Sequence, residues 1–378
     1  MRKYLYIIIL SVVFYSCSER GEKYEGKQMS VSNAMGAADT AGFEKAIDER
    51  KFEFPKDNGA HETFRTEWWY FTGNLTAKDG RKFGYQFTIF RNAISPGKKD
   101  SLSAWKSNQI YMGHFTITDI DKGRFYFYER FSRDGNALAG VSAEPLRIWL
   151  EDWSVTETGK GKYEFPDSRL TAKDKDVTLD LQLSLLKPVV LQGQNGLSRK
   201  SKEAGNASYY YSASRIETRG KVMVEGKEYE VEGFSWLDRE WSTSALAEYQ
   251  KGWDWFSLQL DNNIELMYYQ LRHKDGGIDE ASKGAFILQD GKKENIKVQD
   301  AVLKVTKEWK NAEGKAYPSG WELSIPSKKL EIRITPAVEN QELNAAVKYW
   351  EGSVVIEGMH EGKRIAGRGY VELTGYSE

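Results

Sequence analysis

The chain of 378 residues contains one cysteine and four histidines. Cys17 closes an apolar N-terminal stretch, so no disulfide within the chain and no thiol nucleophile is expected. His61, His114, His273 and His360 do not pair at zinc-ligand spacing, and His-Glu-x-x-His is absent. Gly-x-Ser-x-Gly is missing as well, which removes the serine-hydrolase elbow. No glycine-rich loop follows a strand and opens a helix. No metal, nucleotide, flavin or other cofactor is therefore expected. Neither sign of charge dominates, the formal net charge being −1, and this argues against a nucleic-acid surface. The apolar run at residues 4–15 is too short to span a bilayer comfortably, and no other run is apolar for long enough.

The N-terminus reads as a targeting signal. Arg2 and Lys3 precede an apolar run from Tyr4 to Tyr15, which ends at Ser16-Cys17. A small residue before cysteine at this place resembles a bacterial lipoprotein signal, with Phe14 standing where leucine is usual. On that reading Cys17 becomes the acylated N-terminus and holds the protein to a membrane facing the periplasm or the cell exterior. The alternative is an ordinary secretory signal cleaved nearby. Residues 18–37 are small and polar and read as a tether, and Thr40–Arg50 carries a weak helical pattern.

What the chain has in quantity is aromatic residues, 12 Trp and 21 Tyr among them. Two clusters mix them with acids: Thr66-Glu67-Trp68-Trp69-Tyr70-Phe71, and Trp236-Leu237-Asp238-Arg239-Glu240-Trp241. Carboxylates beside indoles are costly to desolvate unless paired or used. A repeat is also visible. Trp68-Trp69-Tyr70-Phe71 aligns with Trp253-Asp254-Trp255-Phe256, Leu75 with Leu260, and Tyr85 to Arg91 with Leu266 to Arg272. Both copies read as strand, turn, strand. Two unrelated hairpins would also give this pattern; the shared terminal arginine favours a duplication.

From Phe64 onward, short alternating segments separated by Asp-Gly and Glu-Gly turns predict many strands and few helices. That is the pattern of antiparallel barrels or sandwiches. The Gly-, Ser- and Asn-rich stretch 191–208 is the candidate crossing between two domains.

Several motifs then carry a family resemblance over residues 50 to the C-terminus. Phe54-Pro55-x-Asp57-x-Gly59-Ala60-His61, with Arg65 to Leu75, resembles the opening of the AttH proteins. These are also called predicted secreted hydrolases and are relatives of carotenoid 1,2-hydratase. Ala207 to Ser212, Trp236 to Ser244, Gly252 to Phe256, Tyr349 to Gly352 and Gly369 to Tyr376 are similar in the same way. The resemblance implies an all-β fold of two tandem lipocalin-like (calycin) antiparallel barrels. The expected layout is a signal over 1–17, a tether with a short helix over 18–50, and domains over 51–205 and 206–378. It also implies an apolar ligand, isoprenoid or another lipid, and in the hydratases an aspartate that donates a proton. Asp238 lies in the matching motif.

The chemistry that remains is acid chemistry in an aromatic cavity. Adding water to an alkene needs a proton donor, aromatic faces for the cation and a route for one water. Asp238 and Glu240 are the candidate catalytic acids. On a strand they share a face; on a tight turn they need not. An ion pair to Arg239 would ionise either of them and end its use as a donor. The candidate ligand-binding residues are Glu67, Trp68, Trp69, Tyr70, Arg91, His114, Tyr209, Trp236, Arg239, Trp241, Trp253 and Trp255. The competing account makes Glu67, Asp238 and Glu240 members of a buried ion-pair network holding two barrels together. Three functions stay open: a lipid-binding hydratase or isomerase, a lipid carrier serving an ABC-type envelope transporter, and a hydrolase supported by the family label alone.

Overall fold

The computed structural model describes residues 40–97, 107–244 and 246–377. Cys17 and the tether lie outside them. Residues 40–50 form turns and extended chain rather than the expected short helix. The Glu44 amide donates to Thr63 O at 3.0 Å, and Ala46 is buried in a cluster with Phe52, Phe64, Tyr209 and Trp241. Tertiary packing has overridden a weak local pattern.

Thirteen strands make the first sheet. They are β1 (Thr66–Ala77), β2 (Lys82–Ala93), β3 (Gln109–Asp119), β4 (Arg124–Arg133), β5 (Ala139–Ala143), β6 (Leu146–Leu150) and β7 (Trp153–Gly159). β8 (Asp167–Asp174), β9 (Val177–Leu185), β10 (Val190–Leu191), β11 (Leu197–Arg199), β12 (Ala207–Val224) and β13 (Lys227–Ser244) complete it. The second sheet opens with β14 (Gln250–Leu260), β15 (Glu265–His273), β16 (Lys283–Ile287), β17 (Lys293–Lys297) and β18 (Val302–Lys310). It closes with β19 (Ala316–Ile325), β20 (Leu330–Pro336), β21 (Glu342–Leu343), β22 (Tyr349–His360) and β23 (Lys363–Thr374). The named pairings are antiparallel, and the sheets curl into a nearly closed barrel and a half-barrel, the architecture of two tandem lipocalin-like units.

The sheets share one strand order. The first runs β4-β3-β2-β1-β13-β12-β9-β8-β7, followed by β6 and β5. The second runs β17-β16-β15-β14-β23-β22-β20-β19-β18. The hairpins aligned from sequence also share a register: Glu67 faces Arg91 and Trp68 faces Phe90, as Gly252 faces Arg272 and Trp253 faces Leu271. The domain boundary differs from the expected 205/206. β12 pairs with β9 and β13 pairs with β1, so both belong to the first sheet, and the second begins at Gln250. The Gly- and Ser-rich stretch is no crossing; it folds β10 and β11 back onto β12.

Strand alternation sets up three layers. Trp69, Phe71 and Leu75 of β1 enter the first barrel with Leu237 of β13. Phe256, Leu258 and Leu260 of β14 enter the second. The opposite faces of these strands meet between the sheets, where Tyr70, Trp236, Trp255, Tyr210 and Tyr370 form their own cluster. Each large apolar side chain buried this way contributes roughly 1.5–3 kcal/mol.

One end of the first barrel is closed by charge rather than hydrocarbon. Glu67, Arg91 and Arg239 are each fully buried. Both guanidinium groups donate to the Glu67 carboxylate, and the His61 amide donates to it at 3.0 Å. The Arg239 guanidinium lies 3.9 Å over the Trp69 ring, and His61 stacks on Trp241 at 3.8 Å. Burial opposes ionisation of Glu67, but the two arginines outweigh it and hold its carboxyl well below the usual range. Glu67→Ala would leave two cations without their shared anion. Denaturant unfolding is expected to show a loss of about 3–5 kcal/mol; a change under 1 kcal/mol would mean that water reaches this network.

Candidate active site

A cavity of about 130 Å³ lies between the two sheets. Trp68, Phe90, Asn92, Met112 and Trp253, each only partly buried, line its outer part. Asp238 and Glu240, both buried, and Glu372, half-buried, stand at its wall with Tyr70, Tyr210 and Trp255.

The strand β13 decides the electrostatics. Because it stays extended through residue 244, Asp238 and Glu240 share the inter-sheet face, while Arg239 points into the first barrel toward Glu67. Arg239 therefore does not ionise either acid by contact. Asp238 accepts hydrogen bonds from three neutral donors: Tyr210 Oη at 2.5 Å, Ser212 Oγ at 2.5 Å and Trp236 Nε1 at 2.7 Å. Burial penalises its anion more than these donors relieve it, and Glu240 adds repulsion, so the carboxyl is pushed up to about 7. Glu240 is handled differently. Lys200 Nζ sits 2.8 Å from its carboxylate and Ser208 donates to it. Burial disfavours the Lys200 ammonium, but the Glu240 carboxylate more than compensates and raises its pKa; the Tyr269 ring lies 4.7 Å from the ammonium.

The facing wall comes from β22 and β23. Glu372 accepts from Trp253 Nε1 at 2.9 Å, and burial, opposed by that bond and reinforced by Asp238 and Glu240, pushes it up to about 7. Glu351 is fully buried and receives the Tyr70 hydroxyl; burial and the nearby Glu372 raise its carboxyl well above the ordinary value. His114 Nδ1 is 2.6 Å from Tyr349 Oη and its Nε2 is 3.0 Å from Glu129 Oε1. The Glu129 carboxylate can only accept, so with neutral His114 the ring proton sits on Nε2 and Tyr349 donates to Nδ1.

Of the residues singled out from sequence, Asp238, Glu240, Trp68, Tyr70, His114, Trp253 and Trp255 line this cavity. Glu67, Trp69, Arg91, Arg239 and Trp241 do not, because alternation turns them to the other face, into the ion network and the first barrel. Tyr209 packs against Phe52, Phe64 and Trp241, away from the cavity. Trp236 stands behind Asp238 as its donor. The network that would have tied the barrels together through Glu67 instead joins β1, β2 and β13 of one sheet. Sequence reasoning did not single out Lys200, Tyr349, Glu351 or Glu372 as site residues, and of the tyrosine run 209–211 it chose Tyr209 where Tyr210 lines the cavity. Glu372 lies within a quoted motif, and its even spacing from Tyr370 and Thr374 was the available signal.

The fold and site define a class: a two-barrel all-β protein with neutral-range carboxylic acids enclosed by indoles and phenols. The AttH-like family model matches residues 45–376, and the chain belongs to that family. The crystal structure of an AttH protein from Nitrosomonas europaea is 32% identical, with a TM-score of 0.77, covering 88% of this chain and all 100% of that one. Kievitone hydratase from Nectria haematococca shares the fold at a TM-score of 0.64 and 13% identity, covering 88% of this chain and 98% of its own. Dehydratase asqC of Emericella nidulans is 23% identical over 302 residues, 68% of this chain and 82% of that protein.

The raised Asp238 carboxyl makes stability depend on pH with a definite sign. The folded state holds its proton between the ordinary value of 3.8 and about 7, where the unfolded chain has lost it. Stability from this group is present below the lower value and is lost as pH rises to the upper one. In urea melts across this window, Asp238→Asn should flatten the decline and gain on the parent by a few kcal/mol between pH 4 and pH 8, on the order of the shift. Parallel curves for the two proteins would show that Asp238 titrates normally.

Proposed function

We propose that this protein adds water to, or removes water from, an apolar unsaturated ligand, with Asp238 as the proton donor. The observation that carries this is the Asp238 carboxyl, buried in an aromatic cavity with three neutral donors and, among the described residues, no contacting guanidinium. A group in that setting keeps its proton at neutral pH, and the same three donors receive the anion once the proton has left. Protonating an alkene carbon makes a carbocation. Trp68, Trp253, Trp255 and Tyr70 supply the π-faces that stabilise one, and Tyr70 and Trp255 meet edge to face at 5.2 Å. Two relatives support the direction: one is named a hydratase, one a dehydratase.

The cavity volume limits what reacts. An apolar cavity of about 150 Å³ holds one benzene-sized molecule, so about 130 Å³ suits the reacting segment of a ligand rather than a whole long chain. A trisubstituted alkene or the matching tertiary alcohol fits this description, because it yields the most stable cation. The test is incorporation of heavy oxygen from labelled water into a panel of such alkenes, followed by mass spectrometry. Turnover should fall 100- to 10,000-fold in Asp238→Asn, a range of about 10²–10⁴, with ligand binding retained. Ligand bound without turnover in either protein would replace the enzyme with a carrier, for which an envelope transporter is the partner to seek.

The lipoprotein signal supports a location on a membrane, where apolar ligands partition. Metabolic labelling with a radioactive fatty acid should mark the protein, and Cys17→Ala should abolish the label; a labelled variant would refute acylation at this residue.

A further inference from the structure

The repeat reaches further than the two hairpins aligned from sequence. Tyr70 of β1 faces Thr88 on one side and Asp238 on the other. Trp255, its equivalent in β14, faces Tyr269 and Glu372. Asp238 and Glu372 therefore occupy one and the same position of the repeated unit. The next strand agrees: Asp238 faces Ser212, Glu372 faces Glu351, and Tyr210 and Tyr349 stand two residues before those partners.

The cavity is lined by these equivalent positions in pairs. Trp68 answers to Trp253, Tyr70 to Trp255 and Phe90 to Leu271. Tyr210 answers to Tyr349, Asp238 to Glu372 and Glu240 to Thr374. The two sheets thus pack through equivalent faces, in an approximate two-fold relation about the cavity. Each sheet contributes one carboxyl group at the matching place, and each carboxyl accepts an indole N–H, from Trp236 at 2.7 Å and from Trp253 at 2.9 Å.

We propose that Asp238 and Glu372 are the two halves of one acid–base device, Asp238 protonating the double bond and Glu372 taking the proton from the attacking water. This rests on the hydratase function proposed above and adds the second group. The assignment of roles follows from the donors. Asp238 has three, which suit it to become the anion. Among the described residues Glu372 has one, from Trp253, which leaves lone pairs of its carboxylate open to accept a proton from water. In the forward step the Asp238 proton forms a C–H bond and the π-electrons leave a cation on the neighbouring carbon. The water oxygen bonds that carbon and gives one proton to the Glu372 carboxylate. The sum is one water added, with Asp238 ionised and Glu372 protonated; return of one proton from Glu372 to Asp238 resets the pair. Burial raises both groups, and Asp238 and Glu240 raise Glu372 further, which agrees with a carboxyl pair at one cavity. The other ionisable groups around the pair are Glu240 with Lys200, Glu351 with Tyr70, His114 with Tyr349 and Glu129, and Tyr210 and Tyr269.

The test is infrared difference spectroscopy of the carboxyl carbonyl band during a pH titration of the whole protein, with Asp238→Asn used to assign the Asp238 component. Glu372→Gln should lower the Asp238 midpoint by about one unit, because a like charge has been removed, while Glu372→Asp should leave it near the parent value. An Asp238 midpoint that stays in the neutral range and does not move in Glu372→Gln overturns the pairing but leaves the acid in place. An Asp238 midpoint in the ordinary carboxylate range in the parent protein overturns the pairing and the acid together. The same variants separate the roles in turnover: Glu372→Gln should lose at least 100-fold in kcat, on the order expected for a general base, with ligand affinity kept. A Glu372→Gln variant with parental kcat would also overturn the assignment.

Discussion

Where the two sheets meet, their central strands are buried on both faces, and the rest of the structure follows from this. β1 and β13 send alternate residues into the first barrel and into the layer between sheets; β14 and β23 do the same for the second. In those segments, which have no solvated side, an ionisable residue is held by a partner or changes its protonation state. The strand through Asp238, Arg239 and Glu240 shows both solutions. Arg239 turns inward and is matched by Glu67. Asp238 turns outward, where hydroxyl and indole groups satisfy its lone pairs but no guanidinium neutralises it. Adjacent residues thus occupy opposite electrostatic environments, separated only by the period of two along a strand.

This explains how much could be read from the residues alone. The fold class was legible, because alternation and turn chemistry are local, as was the repeat, because its hairpins keep one register. The expected run of strands is present, with residues 162–165 irregular and a turn of 3-10 helix at Val298–Asp300 between β17 and β18. The domain boundary was not legible. The pairing of β13 with β1 joins residues far apart in sequence, and nothing in the glycine- and serine-rich stretch reveals it.

The site was legible in half. Asp238 and Glu240 stood out as acids among tryptophans. Which aromatic residues shared their face was a question of register, and Trp69 and Trp241 carry the same local signal as Trp68 and Trp253 while packing elsewhere. Glu372 drew no notice because its neighbours, Val371 and Leu373, read as core. Its place becomes visible only when the second sheet is laid on the first. Lys200 comes from a loop, where no periodicity marks a residue.

The approximate two-fold relation is broken at one pair in particular. Glu240 with its Lys200 partner stands where the other half of the cavity has Thr374. An unsymmetrical reactant therefore meets one end carrying a buried ion pair and another carrying a hydroxyl. The mismatch of Glu240 and Thr374 thereby gives the cavity a direction, so that two ends of a bound molecule are distinguished although the sheets around it are equivalent.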